Sequence, residues 1–245
     1  MIVKSWQDAT RTPYTTESGH TSLVTNYFGT EATYDKSLPQ PHPDDLFPQA
    51  FIVELEPHYT LDPHYHLSNQ FQLFIKGDGE ITRRRFGAFS VHYANAYTPY
   101  GPIVAGDGGL HYITLRNGSG GGPLYLPKHG ERLRASGRPR RHLDPAEIDL
   151  EGYAPVSTIF SAAADGLGGW VYRAKADAAG TGPDPRGGGG QSWVVGAGSL
   201  VVDGAELSKL SCLFVNPDDP PLAFTGGPYG GAAIVLQYPQ RPVQQ

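Results

Sequence analysis

Apolar and polar residues alternate over short runs along most of this chain, the pattern of strands that bury one face. Thr21–Phe28, Phe51–Glu56, Ser90–Ala94 and Leu110–Arg116 read as strands, and Thr98–Pro102 reads as a turn. The most informative stretch is Pro63–Ile81, PHYHLSNQFQLFIKGDGEI. Side chains on a strand repeat every second residue, so His64 and His66 leave one face. Gln70, Gln72 and Phe74 share that face if the strand stays in phase. Gly77-Asp78-Gly79 reads as a tight turn and ITRRRF as the returning strand. A strand through the arginines turns either Arg84 or the Arg83/Arg85 pair inward. A buried guanidinium needs an anionic partner, which is Glu54 or Glu56 of a neighbouring strand or a carboxylate on a substrate. Helical periodicity with caps is scarce. One short turn of helix is expected where Asp144-Pro145 opens LDPAEIDLEG.

Strand patterning returns over residues 156–239, in WVYRAK, QSWVVGAGSLVV, LSCLFV and AAIVLQYP. QLFIKGDGEI, beginning at Gln72, aligns without gaps on QSWVVGAGSL, beginning at Gln191, which indicates an internal repeat. GTGPDPRGGGG precedes the second copy where PHYHLSN precedes the first, so any histidine chemistry belongs to the first copy. The expected organisation is a strand and proline-rich arm (1–50), a first barrel with the site (51–127), a basic linker (128–155) and a second barrel without a site (156–245).

Composition supports an all-β chain: 32 glycines and 22 prolines among 245 residues favour short strands and many turns. A formal charge of −5 argues against nucleic acid as a partner. The single cysteine, Cys212, lies in an apolar run and reads as a small core residue. No run reaches the length of a membrane span and MIVKSWQDATRT lacks the apolar core of a signal peptide, so the expectation is a cytoplasmic protein without membrane contact. Neither a phosphate-binding glycine loop followed by Lys-Ser or Lys-Thr nor a Gly-x-Ser-x-Gly nucleophile elbow occurs. His20 and His42, in polar turn-rich sequence, read as surface residues. Exposed barrel edges make a homodimer plausible.

His64-x-His66 with Gln70 and Gly77 resembles the first motif of the cupin superfamily. Gln70 stands where that motif has glutamate, and His58 where it has its leading glycine. Gly87 and Pro99-Tyr100-Gly101 resemble part of the second motif, but Val104 replaces its histidine and Gly108 its asparagine. The resemblance implies two double-stranded β-helix barrels of the jelly-roll-like cupin type. It also implies a divalent metal, with iron, manganese, nickel, copper and zinc all compatible with imidazole donors.

On that reading His64, His66 and Gln70 hold the metal, and His111, on the face shared with Ile113 and Leu115, is the candidate fourth ligand. His58, His92 and Tyr100 are candidate proton-transfer groups, the histidines because an ordinary imidazole titrates at about 6.5. Gln72, Phe74 and Arg84 are candidate lining for a small-molecule substrate. Three functions fit: a metal-dependent enzyme of oxygenase type, a metal-free isomerase or lyase with a histidine base, and a non-catalytic protein binding a sugar or aromatic ligand.

Overall fold

The structure is a computed structural model that describes every residue except 16–18, 20, 31–32, 34–36, 40, 43 and 241–245. His20 therefore lies outside the described residues. The chain divides into two compact units, Thr10–Glu147 and Met1–Ala9 with Ile148–Gln245. Among the described residues each unit is built on one large antiparallel sheet, of nine strands in the first and eight in the second, coiled around a core.

The first sheet has Gln70–Ile81 and Ile103–Arg116 at its centre, with Gln49–Leu55, Thr21–Phe28 and Thr10–Thr15 following on one side and Ser90–Ala94 and His142–Glu147 on the other. Three expectations change here. Thr10–Thr15 and Thr21–Phe28 form no separate arm, because these two strands extend the sheet beyond Gln49–Leu55. His142–Glu147, expected to lie in a linker, pairs with Ser90–Ala94, and the only short α-helix among the described residues is Gly130–Ala135. Gly77-Asp78-Gly79 does not turn the chain, since the strand runs unbroken from Gln70 to Ile81. The reversal comes at Thr82-Arg83, both with positive φ (48° and 66°). That conformation suits the twist of a two-residue hairpin. It also throws Arg83, Arg84 and Arg85 all into solvent.

Gly77 has a different task. Its φ is +79°, and a Cβ built there would lie 2.0 Å from the Gly109 carbonyl oxygen of the neighbouring strand. Gly198 of the second unit repeats this, with φ +59° and 2.1 Å to the Gly230 carbonyl. Only glycine permits so close a crossing.

These crossings fix the internal repeat. The interval from Gln70 to Gly77 equals that from Gln191 to Gly198, and the interval from Gly109 to Arg116 equals that from Gly230 to Gln237. Pairing agrees: Gln70 lies opposite Arg116, and Gln191 opposite Gln237. Gln191 therefore matches Gln70, two residues before the partner that a gapless match of glycines suggests, and Trp193 matches Gln72. In the second unit Trp193 is fully buried among Leu213, Val215, Phe224 and Val235 and fills the space between the sheet faces. Cys212 is buried in the strand Cys212–Val215, as its apolar neighbours require.

Candidate functional site

The first unit holds a cavity of about 530 Å³. That is the size of a pocket for a small organic molecule. His64, His66, Gln70 and Gln72 line it, joined by Tyr112, Thr114 and Arg116 from the opposite strand. Phe51, Val53, Tyr59 and Tyr125 supply apolar and aromatic wall. Arg116 is the one charged side chain lining the cavity among the described residues.

Local structure sets each of these groups. His64–Tyr65 is a short strand paired with Leu124–Tyr125. The His64 backbone also exchanges two hydrogen bonds with Tyr100, at 3.1 and 3.0 Å, which brings the tyrosine under the ring. Gln70 opens one central strand and Arg116 closes the next, directly opposite. The glycine-rich segment after Arg116 then folds back so that the Gly121 carbonyl accepts from Arg116 Nη1 at 2.9 Å.

The polar groups form a directed chain. Arg116 Nε donates to Gln70 Oε1 at 2.7 Å, and Gln70 Nε2 donates to the Tyr100 hydroxyl at 2.6 Å. The Asp62 carbonyl, 2.6 Å from His64 Nδ1, can only accept, so that nitrogen carries the proton. His64 Nε2 is then a bare acceptor, 3.1 Å from the Tyr100 hydroxyl, which donates to it. Arg116 Nη2 lies 3.0 Å from His66 Nδ1, and the same ring bonds the Gly122 backbone. Arg116 also donates to Gln49 Oε1 at 3.3 Å, and Phe51 lies under the guanidinium.

This arrangement does not fit a divalent metal. In the expected ligand set, His64 Nε2, the His66 ring nitrogen facing Arg116 and Gln70 Oε1 each already accept a hydrogen bond. Two of those bonds come from Arg116, whose guanidinium keeps its charge at any ordinary pH. A dication would meet that charge at close range, and the donor side chains include no carboxylate to offset it. Among the described residues no group of three or more His, Cys, Asp or Glu side chains is placed to hold a metal.

Burial holds both rings neutral. His64 is lowered to about 4, chiefly by loss of water, with the Asp62 carbonyl opposing and the Arg116 charge adding. His66 lies well below the ordinary value for the same first reason, helped by Arg116. His92 falls to about 3, again through burial and then through His142. Burial raises the Tyr100 hydroxyl, against the pull of Arg116 and Gln70.

Unfolded imidazole titrates near 6.5, so the unfolded chain takes up protons first as pH falls. The stability tied to these rings is complete above 6.5 and drains away between 6.5 and about 4 for His64, and on to about 3 for His92. Urea unfolding at about pH 7.5 and about pH 4.5 should show the loss, and His64→Gln should reduce it.

The other expected site residues are scattered. His92 is buried behind the cavity wall, its Nδ1 3.0 Å from Gln72 Oε1, where it orients that amide. His111 does not join the site. It is half-buried opposite Glu54 and borders a separate hollow with Glu54 and Glu56. The alternation expected for its strand holds, but the cavity face is Tyr112, Thr114 and Arg116, the face opposite to the one anticipated. His58 is largely exposed with φ 61°, 3.8 Å from Asp107, and is remote from the chemistry.

Phe74 is core rather than lining: it stacks on Phe86 with centroids 3.8 Å apart. Arg84 is exposed and faces Asp144 at 3.5 Å, while Glu54 pairs with Arg11 at 2.5 Å. His42 is a surface residue, as expected. The residue that sequence reasoning missed is Arg116. The available signal was its even offset from Tyr112 and Thr114 on the strand Ile103–Arg116.

The two-unit architecture is the two-barrel fold of the cupins. The pirin YhhW of Escherichia coli, solved in complex with nickel(II), superposes with a TM-score of 0.60 at 11% identity over 98% of this chain and 100% of its own. A putative dioxygenase from Nostoc punctiforme gives 0.61 at 12% identity, over 99% of this chain and 81% of its own. Oxalate decarboxylase of Lactobacillus farciminis, solved with formate, gives 0.59 at 12% identity, over 98% and 87%. No protein-family model and no curated protein sequence matches the chain. Among the described residues no helix is long and apolar enough to cross a membrane.

Proposed function

We propose that the first barrel binds a small organic anion, with an apolar or aromatic body, in a site that works without a resident metal. One observation carries this reading: the Arg116 guanidinium is hydrogen-bonded to both Gln70 and His66, the side chains that would otherwise present lone pairs to a cation. With acceptor sites on both side chains occupied, the floor of the cavity carries a buried positive charge. Such a surface complements an acceptor-rich ligand such as a carboxylate. Phe51, Val53, Tyr112 and Tyr125 offer its hydrocarbon part a dry wall.

The similar structures include a nickel-bound pirin, a putative dioxygenase and a decarboxylase holding formate, so the fold leaves the reaction open. Metal-dependent oxygenase chemistry, the reading those neighbours suggest, requires His64, His66 and Gln70 to exchange their present hydrogen bonds for a cation. The arrangement of Arg116 weighs against it. A second reading is acid–base catalysis on the bound anion, favoured by the Tyr100–His64 contact at 3.1 Å. A neutral imidazole that accepts from a phenol is in the form a general base needs.

The test is thermal unfolding of protein purified without an affinity tag, against aromatic and aliphatic carboxylates and their methyl esters, with elemental analysis of the same sample. Stabilisation by acids and not by esters, in protein carrying only trace metal, is the expected result. Equal response to the esters would refute the anion, and stoichiometric metal would restore the oxygenase reading. If a turnover assay emerges, Tyr100→Phe should lower its rate and shift its acid limb.

A further inference from the structure

The two barrels differ at one decisive position. Opposite the glutamine that opens the central strand, the second unit has Gln237 and the first has Arg116. In the second unit the amides pair with each other: Gln191 Nε2 donates to Gln237 Oε1 at 2.8 Å. Trp193 Nε1 donates to Gln191 Oε1 at 3.0 Å, and Gln237 Nε2 donates to the Gly166 carbonyl at 2.8 Å. That barrel is closed by a neutral, fully bonded amide pair.

In the first unit the same place holds a cation, 4% exposed, hydrogen-bonded to the His66 ring. Nothing in the strand pairing demands it, because the second unit builds the same pairing with glutamine. The arginine also hydrogen-bonds to two of the three side chains that could ligate a metal and sets its charge beside them.

We infer that Arg116 is an internal substitute for a metal ion: it supplies fixed positive charge to the first barrel and, by the same contacts, bars divalent cations from His64, His66 and Gln70. Discrimination against divalent cations then belongs to Arg116 whatever ligand the cavity takes. Removing the guanidinium frees Gln70 Oε1 and His66 Nδ1 and removes a like charge a few ångströms from any incoming dication. Two imidazoles with ring centroids 5.2 Å apart and an amide oxygen are then left lining one cavity without a cation beside them, a donor set suited to nickel(II) or zinc(II). The pocket becomes a metal site.

The experiment is equilibrium dialysis of the full chain against nickel(II) chloride, with metal read by elemental analysis and folding by circular dichroism. Three proteins are compared: wild type, Arg116→Lys and Arg116→Gln. The glutamine variant copies the arrangement the second barrel already uses. Arg116→Met, which keeps the bulk of the side chain, replaces it if it misfolds.

Wild type and Arg116→Lys should bind nickel weakly, and the neutral variants should bind about one equivalent with affinity raised roughly a hundredfold or more, as removal of a unit charge at contact distance implies. Adding His64→Ala and His66→Ala to the neutral variant should abolish the uptake. Wild type that binds nickel as well as the neutral variant overturns the inference, as does a folded neutral variant that stays empty.

Discussion

Arg116→Gln is expected to weaken binding of a carboxylate ligand at least about a hundredfold while leaving binding of its neutral ester unchanged. The size of the effect follows from the setting. Arg116 is 4% exposed, and the ligand reaches it through an apolar cavity, so water screens the pair poorly. A desolvated ion pair loses about 2–5 kcal/mol when one partner is removed. Set against the 1.4 kcal/mol that corresponds to each tenfold in affinity, the middle of that range is a loss of roughly a few hundredfold.

The fold should survive, because a glutamine at the equivalent place already lies opposite a glutamine in the second barrel. Isothermal titration with acid and ester in both proteins checks the point. An unchanged affinity for the acid would mean that the cavity binds through its aromatic wall and that the guanidinium is structural.

Trp193→Ala is expected to destabilise the protein by about 3–5 kcal/mol, the range for removing a large buried aromatic. Trp193 has no exposed surface and anchors the core that Leu213, Val215 and Phe224 complete. The chain has made room for it at Gly182, where a Cβ would lie 2.3 Å from the indole ring. Its Nε1 also donates to Gln191, so alanine would leave that amide short of a partner. Urea unfolding measures the loss. Ligand affinity should remain within about twofold, since every residue lining the described cavity belongs to the first unit. A loss below about 1 kcal/mol would mean that the second barrel collapses around the gap or never packed tightly.

The same pair of positions explains why one barrel is open and the other closed. Gln72 and Trp193 are equivalent in strand pairing, facing Thr114 and Val235 respectively. An amide leaves lumen space and a polar wall; an indole fills the lumen. The loss of the histidine pair from the second copy, visible in GTGPDPRGGGG, is thus matched by a core that leaves no use for it.

Strand periodicity accounts for Gln70 and Gln72, which line the cavity from one strand, but His64 and His66 reach the same cavity from a separate two-residue strand and the non-strand residues 66–69 after it, and Phe74 packs in the core. Composition and repeated strand patterns were enough for an all-β chain, and the resemblance to the cupins added the two barrels. Local sequence failed where the answer lay in a distant partner. Alternation alone groups His111 with Ile113 and Tyr112 with Arg116, but both faces of that strand are largely buried, so hydropathy cannot say which one is the lumen. The Gly77–Gly109 crossing and the irregular register near His111 decide it. Likewise Arg84 looked inward only on the premise that the strand continued through it, and a positive-φ turn at Thr82-Arg83 removed that premise.

What the sequence determined by itself is which residues share a face within one continuous strand, as Gln70 with Gln72 and Thr114 with Arg116, because side-chain direction along a strand depends on nothing beyond the backbone's own pleat. What only the tertiary structure decided is which charge those residues meet. Arg116 lies 46 residues from Gln70 in the chain, and long-range strand pairing sets it at the histidine and glutamine atoms a metal would need. The physical reason is that coordination depends on free electron pairs at fixed distances, and whether a pair is free is settled only when the chain has folded and every donor has found its acceptor.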